Sequence, residues 1–232
     1  MISVFTDFQT RAAEVEGYFK FVLRLARAEL AVQNATNGSA AFSNHEHEEL
    51  LKTFKATCYL LLYNLVESTM RNAVEAIFDE LKANHIAFDD CRKELKEEIL
   101  KNFKKRNMDK LLPKLLTLAQ DVIHETFERK ETFAGNLDAK AIRETAQRFG
   151  FPEPVKRDYS LIRTVKDVRN DLAHGVKSFA EVGRDATPTD LRKARQQTVR
   201  ILSTTLRNIQ RYLRQRHYLH SIAFPTPAAA PP

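Results

Sequence analysis

Residues 168–175 read VRNDLAHG, which sets Arg169 five positions before His174. A guanidinium presents a planar fork of donors that can clamp a phosphate. An imidazole moves a proton near neutral pH. The pair therefore suits chemistry on phosphodiesters. On a straight helix five residues turn two side chains about 140° apart. Both can reach one phosphate only if the helix unwinds at its end or a second copy of the chain completes the site. Gly175 permits the first arrangement, and a symmetric homodimer with two arginines and two histidines in one cleft is the second. Asn170 lies four residues before His174 on nearly the same face, where its amide can orient the imidazole or a phosphate oxygen. Asp171, three residues before His174, allows a plainer reading: His174 ends a helix, pairs with that carboxylate and is favoured by the helix dipole. Residue types alone leave both readings open.

The elements that must position these groups are helical. Leu161, Val165, Val168 and Leu172 follow i, i+4, i+7 and i+11, which predicts a helix over 160–174 with Gly175 as its stop. A capping box of Ser43 and Glu46 opens a long helix over about 44–83. Its middle, CYLLLYNLV, is apolar on nearly every side, as a central buried helix must be. Asn64, Glu67 and Arg71 are its polar exceptions, at i, i+3 and i+7. Glu67 either pairs with Arg71 one turn on or holds a cation from another helix, such as Arg169.

Other segments complete the expectation. Residues 4–33 form an amphipathic helix through Phe8, Val15, Phe19, Val22 and Leu30, followed by the loop NATNGSA at 34–40. Asp89 or Asp90 caps a helix over about 90–105, and Pro113 marks a first turn or kink in a segment over 108–126. A Gly-Asn turn at 135–136 precedes a short helix over 138–149, which Gly150 stops; Pro152 and Pro154 force an extended connection. Thr187, Pro188 and Asp190 open a last helix reaching about 217, and FPTPAAAPP reads as a disordered tail. No strand alternation of useful length appears. The expected protein is all-α: residues 1–40 a helix and loop packed on the domain, 41–220 the helical domain, and 221–232 the tail.

Charge narrows the partners. The 232-residue chain has a net charge of +7, which favours nucleic acid first and anionic membrane second. Between Leu191 and His220 stand eight Arg or Lys and no acid. Lys193, Arg200, Arg207, Arg211 and Arg214 fall within about 60° on a helical wheel, opposite Leu191, Thr198, Leu202, Ile209 and Leu213. That stripe is either a track for an RNA backbone or a solvated face. Lys101, Lys104, Lys105 and Arg106 form a second basic patch of the kind that more often only solvates. Two cysteines, Cys58 and Cys91, build neither a disulfide framework nor a zinc site. Cys58 reads as a small core residue, and such usage fits a reducing cytoplasm. His45 and His47 flank Glu46 at an exposed helix start, so no metal and no cofactor is expected. The first residues lack a signal peptide's pattern, and the most apolar stretch, 58–66, is far short of a bilayer's thickness. A soluble protein without membrane contact is expected.

The string RNDLAHG resembles the signature of the HEPN superfamily of all-helical nucleotide-binding and RNase domains. Beyond it, LLYNLVESTMRNAVEAIFDEL (61–81), GNLDAKAIRETAQRFGF (135–151) and KSFAEVGRDATPTDL (177–191) resemble a bacterial HEPN-like nuclease group linked to phage defence. The resemblance implies a HEPN-like bundle with a long central helix and a long basic C-terminal helix. It implies that Arg169 and His174 are the catalytic pair, that Asn170 is the polar residue following the Arg and belongs with them, and that Glu67 supports them; Asp171, beside them on the helix, is expected as a second supporting residue. The implied reaction is metal-independent endoribonuclease cleavage at a composite dimer site. The 2′-hydroxyl attacks the adjacent phosphate and leaves a 2′,3′-cyclic phosphate and a 5′-hydroxyl, which explains RNA over DNA. Some HEPN toxins carry a Tyr two residues after the His, a target for an antitoxin; Val176 stands there in this chain. The alternatives are a HEPN-type module that binds RNA or nucleotides, or scaffolds a defence complex, without cleaving, and a helical adaptor in which Arg169 and His174 are only structural.

Overall fold

The computed structural model describes residues 1–33, 38–104, 133, 137–154 and 160–220. Seven α-helices run through them: α1 (Ile2–Ala26), α2 (Asn44–Ala83), α3 (Lys93–Lys104), α4 (Ala139–Phe149), α5 (Ser160–Ala173), α6 (Phe179–Asp185) and α7 (Pro188–Arg214). A 3-10 turn, Phe88–Asp90, precedes α3. The described residues hold no strand, only isolated bridges between Gln33 and Ala40 and between Cys91 and Leu219. The chain is an all-α bundle built around its longest helix.

That helix, α2, starts as its residues dictate. Ser43 accepts the Glu46 N–H, and the Glu46 carboxylate reaches back to the Ser43 N–H at 2.9 Å. Its middle buries Cys58, Leu62, Tyr63, Leu65, Val66, Met70, Ala73 and Val74. Four helices pack on it: α1, α5, α6 and α7. Each of those buries one stripe, which is the geometry a helix apolar all round requires. On α7 the buried stripe includes Leu191, Thr198, Leu202, Ile209 and Leu213, as the wheel predicts. Thr187 accepts the Asp190 N–H, and Pro188 takes the first helical position.

Several boundaries differ from expectation for identifiable reasons. α1 stops at Ala26, not near 33. Glu29 N–H bonds to Arg24 O at 2.9 Å and Ala28 N–H to Leu25 O at 3.0 Å. This is a Schellman turn with Ala28 at φ 55° where Gly is usual. Leu25 is therefore the last core residue of α1, and Leu30 lies past its end. His85 after α2 and Arg216 after α7 occupy the same left-handed position at φ 50° and 55°. Each costs about 1 kcal/mol relative to Gly. Asp89 and Asp90 lie in the 3-10 turn and do not cap α3, which begins at Lys93. On α5 the buried residues are Ile162, Val165 and Leu172. Leu161 and Val168 are half-buried. The short α6 is opened by a second capping box, Ser178 with Glu181, a signal the sequence carried and the reading above did not use.

α4 falls where the helix over 138–149 was expected, and Gly150 ends it at φ 79°; Asp138, read as its first residue, is its N-cap. The segment 108–126 with Pro113, the 135–136 turn, residues 34–37 of the loop and the 221–232 tail lie outside the described residues. Among those described, no helix is long and apolar enough to cross a membrane.

Candidate functional site

The VRNDLAHG segment forms the last turn and a half of α5 and its exit. Helical bonding continues to His174, whose N–H donates to Asn170 O at 3.0 Å. Val176 N–H then bonds to Asp171 O at 2.8 Å, and Gly175 N–H to Leu172 O at 3.4 Å, with Gly175 at φ 69°. That pattern is a Schellman turn with glycine at its left-handed position. The helix unwinds at Gly175, just after the imidazole.

Arg169 is half-buried and packs against α2. Its guanidinium carbon sits 4.6 Å from the centroid of the Tyr63 ring. A cation over a ring face is held by the ring's quadrupole, worth about 0.5–2 kcal/mol. Arg169 Nη1 donates to Asn170 Oδ1 at 2.9 Å. The Tyr63 ring is itself fixed. It is 1% exposed, and its hydroxyl accepts the Leu137 N–H at 3.3 Å. Burial pushes the Tyr63 phenol above its ordinary range, Glu67 adds to this, and the Leu137 N–H and the Arg169 and Arg71 charges oppose it. Tyr63 belongs to the site although sequence reasoning took it only as part of an apolar run; an aromatic one helical turn before Glu67 was the available signal.

Glu67 does not hold Arg169. Arg71 Nη2 donates to Glu67 Oε1 at 2.6 Å and to Phe133 O at 2.9 Å. The i,i+4 pair is thus the arrangement the structure adopts. Among the described residues no carboxylate lies within 4.0 Å of the Arg169 guanidinium. A half-buried guanidinium without a counter-ion keeps donors free for an anion.

The start of α4 braces α5 from the other side. Asp138 accepts the Ala141 N–H at 2.9 Å through Oδ1 and the Lys166 ammonium at 3.1 Å through Oδ2. Burial raises the Asp138 carboxyl, but the Ala141 N–H and Lys166 outweigh it and hold it below the usual range. Lys166 is shifted upward: burial acts against the charge and the Asp138 bond overcomes it.

His174 is exposed, and its ring makes no hydrogen bond or ion pair among the described residues. Asp171 does not engage it. Its carboxylate lies 3.3 Å from Lys177 Nζ, and its carbonyl receives the Val176 and Lys177 N–H groups. The pairing that would have made His174 a plain helix-end residue is absent. Val176, at the position where some HEPN toxins carry Tyr, is 70% exposed.

The structure brings Arg169, Asn170, Tyr63, Glu67 and Arg71 to the α2–α5 contact and sets His174 at its open end. Lys193, Arg200, Arg207, Arg211 and Arg214 lie elsewhere, on the outer face of α7. All five are exposed and, among the described residues, unpaired. Of the second basic patch, Lys101 is exposed and 3.9 Å from Glu98. The side chains of Lys104, Lys105 and Arg106 lie outside the described residues. Cys58 and Cys91 are free and buried, and burial pushes their thiols up to about 12 and about 11. Among the described residues no three or more His, Cys, Asp or Glu side chains gather as metal ligands would.

A long buried helix flanked by helical stripes, with an arginine and a histidine five residues apart at a helix end, defines a HEPN-type all-α domain. The sequence model of the HEPN_MAE_28990-like HEPN family matches residues 3–218, so all of α1 after its first residue falls inside the match. The chain belongs to that family. No curated protein and no solved structure matches it.

Proposed function

We propose that the chain is a metal-independent endoribonuclease whose Arg169 and His174 act on the phosphodiester of RNA. The observation that carries this is the state of the two side chains. Arg169 packs against Tyr63 with no counter-ion among the described residues, and His174, on the same helix end, is exposed with no side-chain partner among them. One is a preorganised anion site, the other a free proton carrier.

In the proposed reaction an imidazole takes the proton of the 2′-hydroxyl, and the oxygen attacks the adjacent phosphorus. The bond to the 5′-oxygen breaks, and a second imidazole protonates that oxygen. A homodimer supplies the second His174, which also answers the angular separation on one helix. General acid–base catalysis of this kind contributes on the order of 10²–10⁴ in rate. Arg169 stabilises charge developing on the phosphoryl oxygens, by about 3 kcal/mol for a preorganised donor. Asn170 fixes the guanidinium. Asp171 holds the helix exit through Lys177, and Glu67 orients Arg71 beneath the site. Lys193, Arg200, Arg207, Arg211 and Arg214 bind the RNA backbone. A setting in phage defence or beside an antitoxin rests on the resemblance carried by 61–81, 135–151 and 177–191. A cytoplasmic location suits two buried, unreactive thiols.

The test is digestion of total RNA in EDTA with mapping of the cut ends. Cyclic phosphates and 5′-hydroxyls are expected. Terminal 3′-hydroxyls overturn the mechanism, and bound but intact RNA makes the chain a binding module.

A further inference from the structure

A cleft of about 590 Å³ opens where the start of α3 meets the chain just past α7. It is lined by Arg92, Lys93 and Glu94 on one side and by Gln215, Arg216, His217, Leu219 and His220 on the other. None of the Arg169 or His174 machinery lines it. Its walls are held rigidly although α7 has ended. Arg92 N–H donates to Tyr218 O at 2.9 Å, and His220 N–H donates to Asp90 O at 2.7 Å. These bonds form the antiparallel bridge between Cys91 and Leu219, two residues buried in part by this contact.

The charge inside is one-sided. Glu94, the only acid in the lining among the described residues, is answered by Arg92 Nε at 2.7 Å, and the Arg92 bond holds its carboxyl below the usual range. Arg92 is spent in that way and in a bond from Nη1 to Gly150 O at 3.0 Å. Lys93, Arg216, His217 and His220 remain. All four side chains are exposed and, among the described residues, have no hydrogen bond or ion pair. Among the described residues the lining offers no Phe, Tyr or Trp ring, and one apolar side chain, Leu219; its two rings are the imidazoles of His217 and His220, which carry N–H donors. Such a surface recognises phosphate, not base. It also adjoins the cationic stripe: Arg207, Arg211 and Arg214 are exposed on the last two turns of α7, and Arg216 follows directly.

We propose that this cleft is a phosphate-binding site that seats the backbone of an RNA strand continuing from the α7 stripe. The ligand rests on the RNA reading above, but the site does not depend on cleavage. Lys93 and Arg216 supply the fixed charges. His217 and His220 donate to phosphoryl oxygens from the rim.

The test uses the full chain and a 15-nucleotide 2′-O-methyl oligouridylate, which lacks the 2′-hydroxyl nucleophile and stays intact. Binding is followed by fluorescence anisotropy across a salt series. For single strands each phosphate contact contributes about 0.7 to the slope of log Kobs against log salt. The double substitution Lys93→Ala with Arg216→Ala should therefore lower the slope by about 1.4 and weaken binding about tenfold or more at low salt. Lys140→Ala, an exposed lysine on α4, should change neither by more than one contact's worth. Equal affinity and slope for wild type and double variant overturn the cleft. So does binding to phosphatidylserine vesicles in place of the oligonucleotide. Wild type that cuts RNA while the double variant binds normally removes the cleft alone. Binding that depends on Lys93 and Arg216, with RNA left uncut, supports the cleft and removes the nuclease.

Discussion

Gly183 and His174 stand nine positions apart, at the seam between α6 and α2 and at the open end of α5. At the seam the two backbones touch. A Cβ on Gly183 would overlap the Lys52 carbonyl, and Lys55 Nζ donates to Ala186 O at 2.7 Å, closing the end of α6. Burial, with the neighbouring Lys52 charge, pushes the Lys55 ammonium below its ordinary range, and Asp185 opposes the shift. At the open end Arg169 rests on a ring, and His174 touches no polar partner among the described residues. One region is closed by backbone contact, and the other has its reactive groups unspent among the described residues. Positions of the first kind set stability, and positions of the second kind are free to meet a substrate.

The largest expected effect on stability is at the seam. Gly183→Ala has no side-chain end to push aside, only backbone, and should cost about 3 kcal/mol. Thermal melting should fall by roughly 6–12 °C for a chain of this size. A melting temperature equal to wild type would show that the seam yields, and the contrast between the regions would fail.

The next effect lies at the brace between α4 and α5. Asp138→Ala removes an N-cap and the Lys166 pair and should cost about 1 kcal/mol near neutral pH. The sign with pH follows from the depressed carboxyl. Asp138's contribution is present above the unfolded value of about 3.9 and is lost as pH falls through its lower folded value. Lys166, raised by the same pair, loses its contribution only as pH climbs through its folded value, above the ordinary lysine range. Denaturant titrations of both proteins should therefore differ at pH 7 and converge in strong acid. A constant difference across that range would mean that the effect does not depend on the charge of Asp138, against the depressed carboxyl described above.

The smallest stability effect belongs to His174→Ala, which should stay within about 0.5 kcal/mol of wild type. A larger loss would place His174 among the residues that hold the fold and erase the distinction drawn above.

How legible these regions were differs for physical reasons. Helix starts are legible where several cap signals coincide: Ser43 with Glu46 and Thr187 with Pro188 cap the helices expected of them, whereas a lone acid at Asp89 or Asp90 does not. Stops are legible only where glycine marks them. Gly150 and Gly175 end α4 and α5 as read, whereas Ala28, His85 and Arg216 take the same left-handed turn without that marker. The pair Arg169 and His174 was visible from type and spacing. What anchors Arg169 was not, because stacking on Tyr63 depends on how α5 crosses α2. The same crossing decided that Glu67 pairs with Arg71 and not with Arg169. The Gly183 seam and the Lys93–Arg216 cleft depend on residues far apart in sequence, which helical periodicity cannot report.

The central claim is that His174 is a residue of chemistry and not of structure. Its most direct measurement is the rate at which wild type and His174→Ala cut one defined RNA in EDTA, at equal folded concentration. The account predicts a loss of about 10²–10⁴-fold with melting unchanged. An equal rate for the two proteins would contradict it.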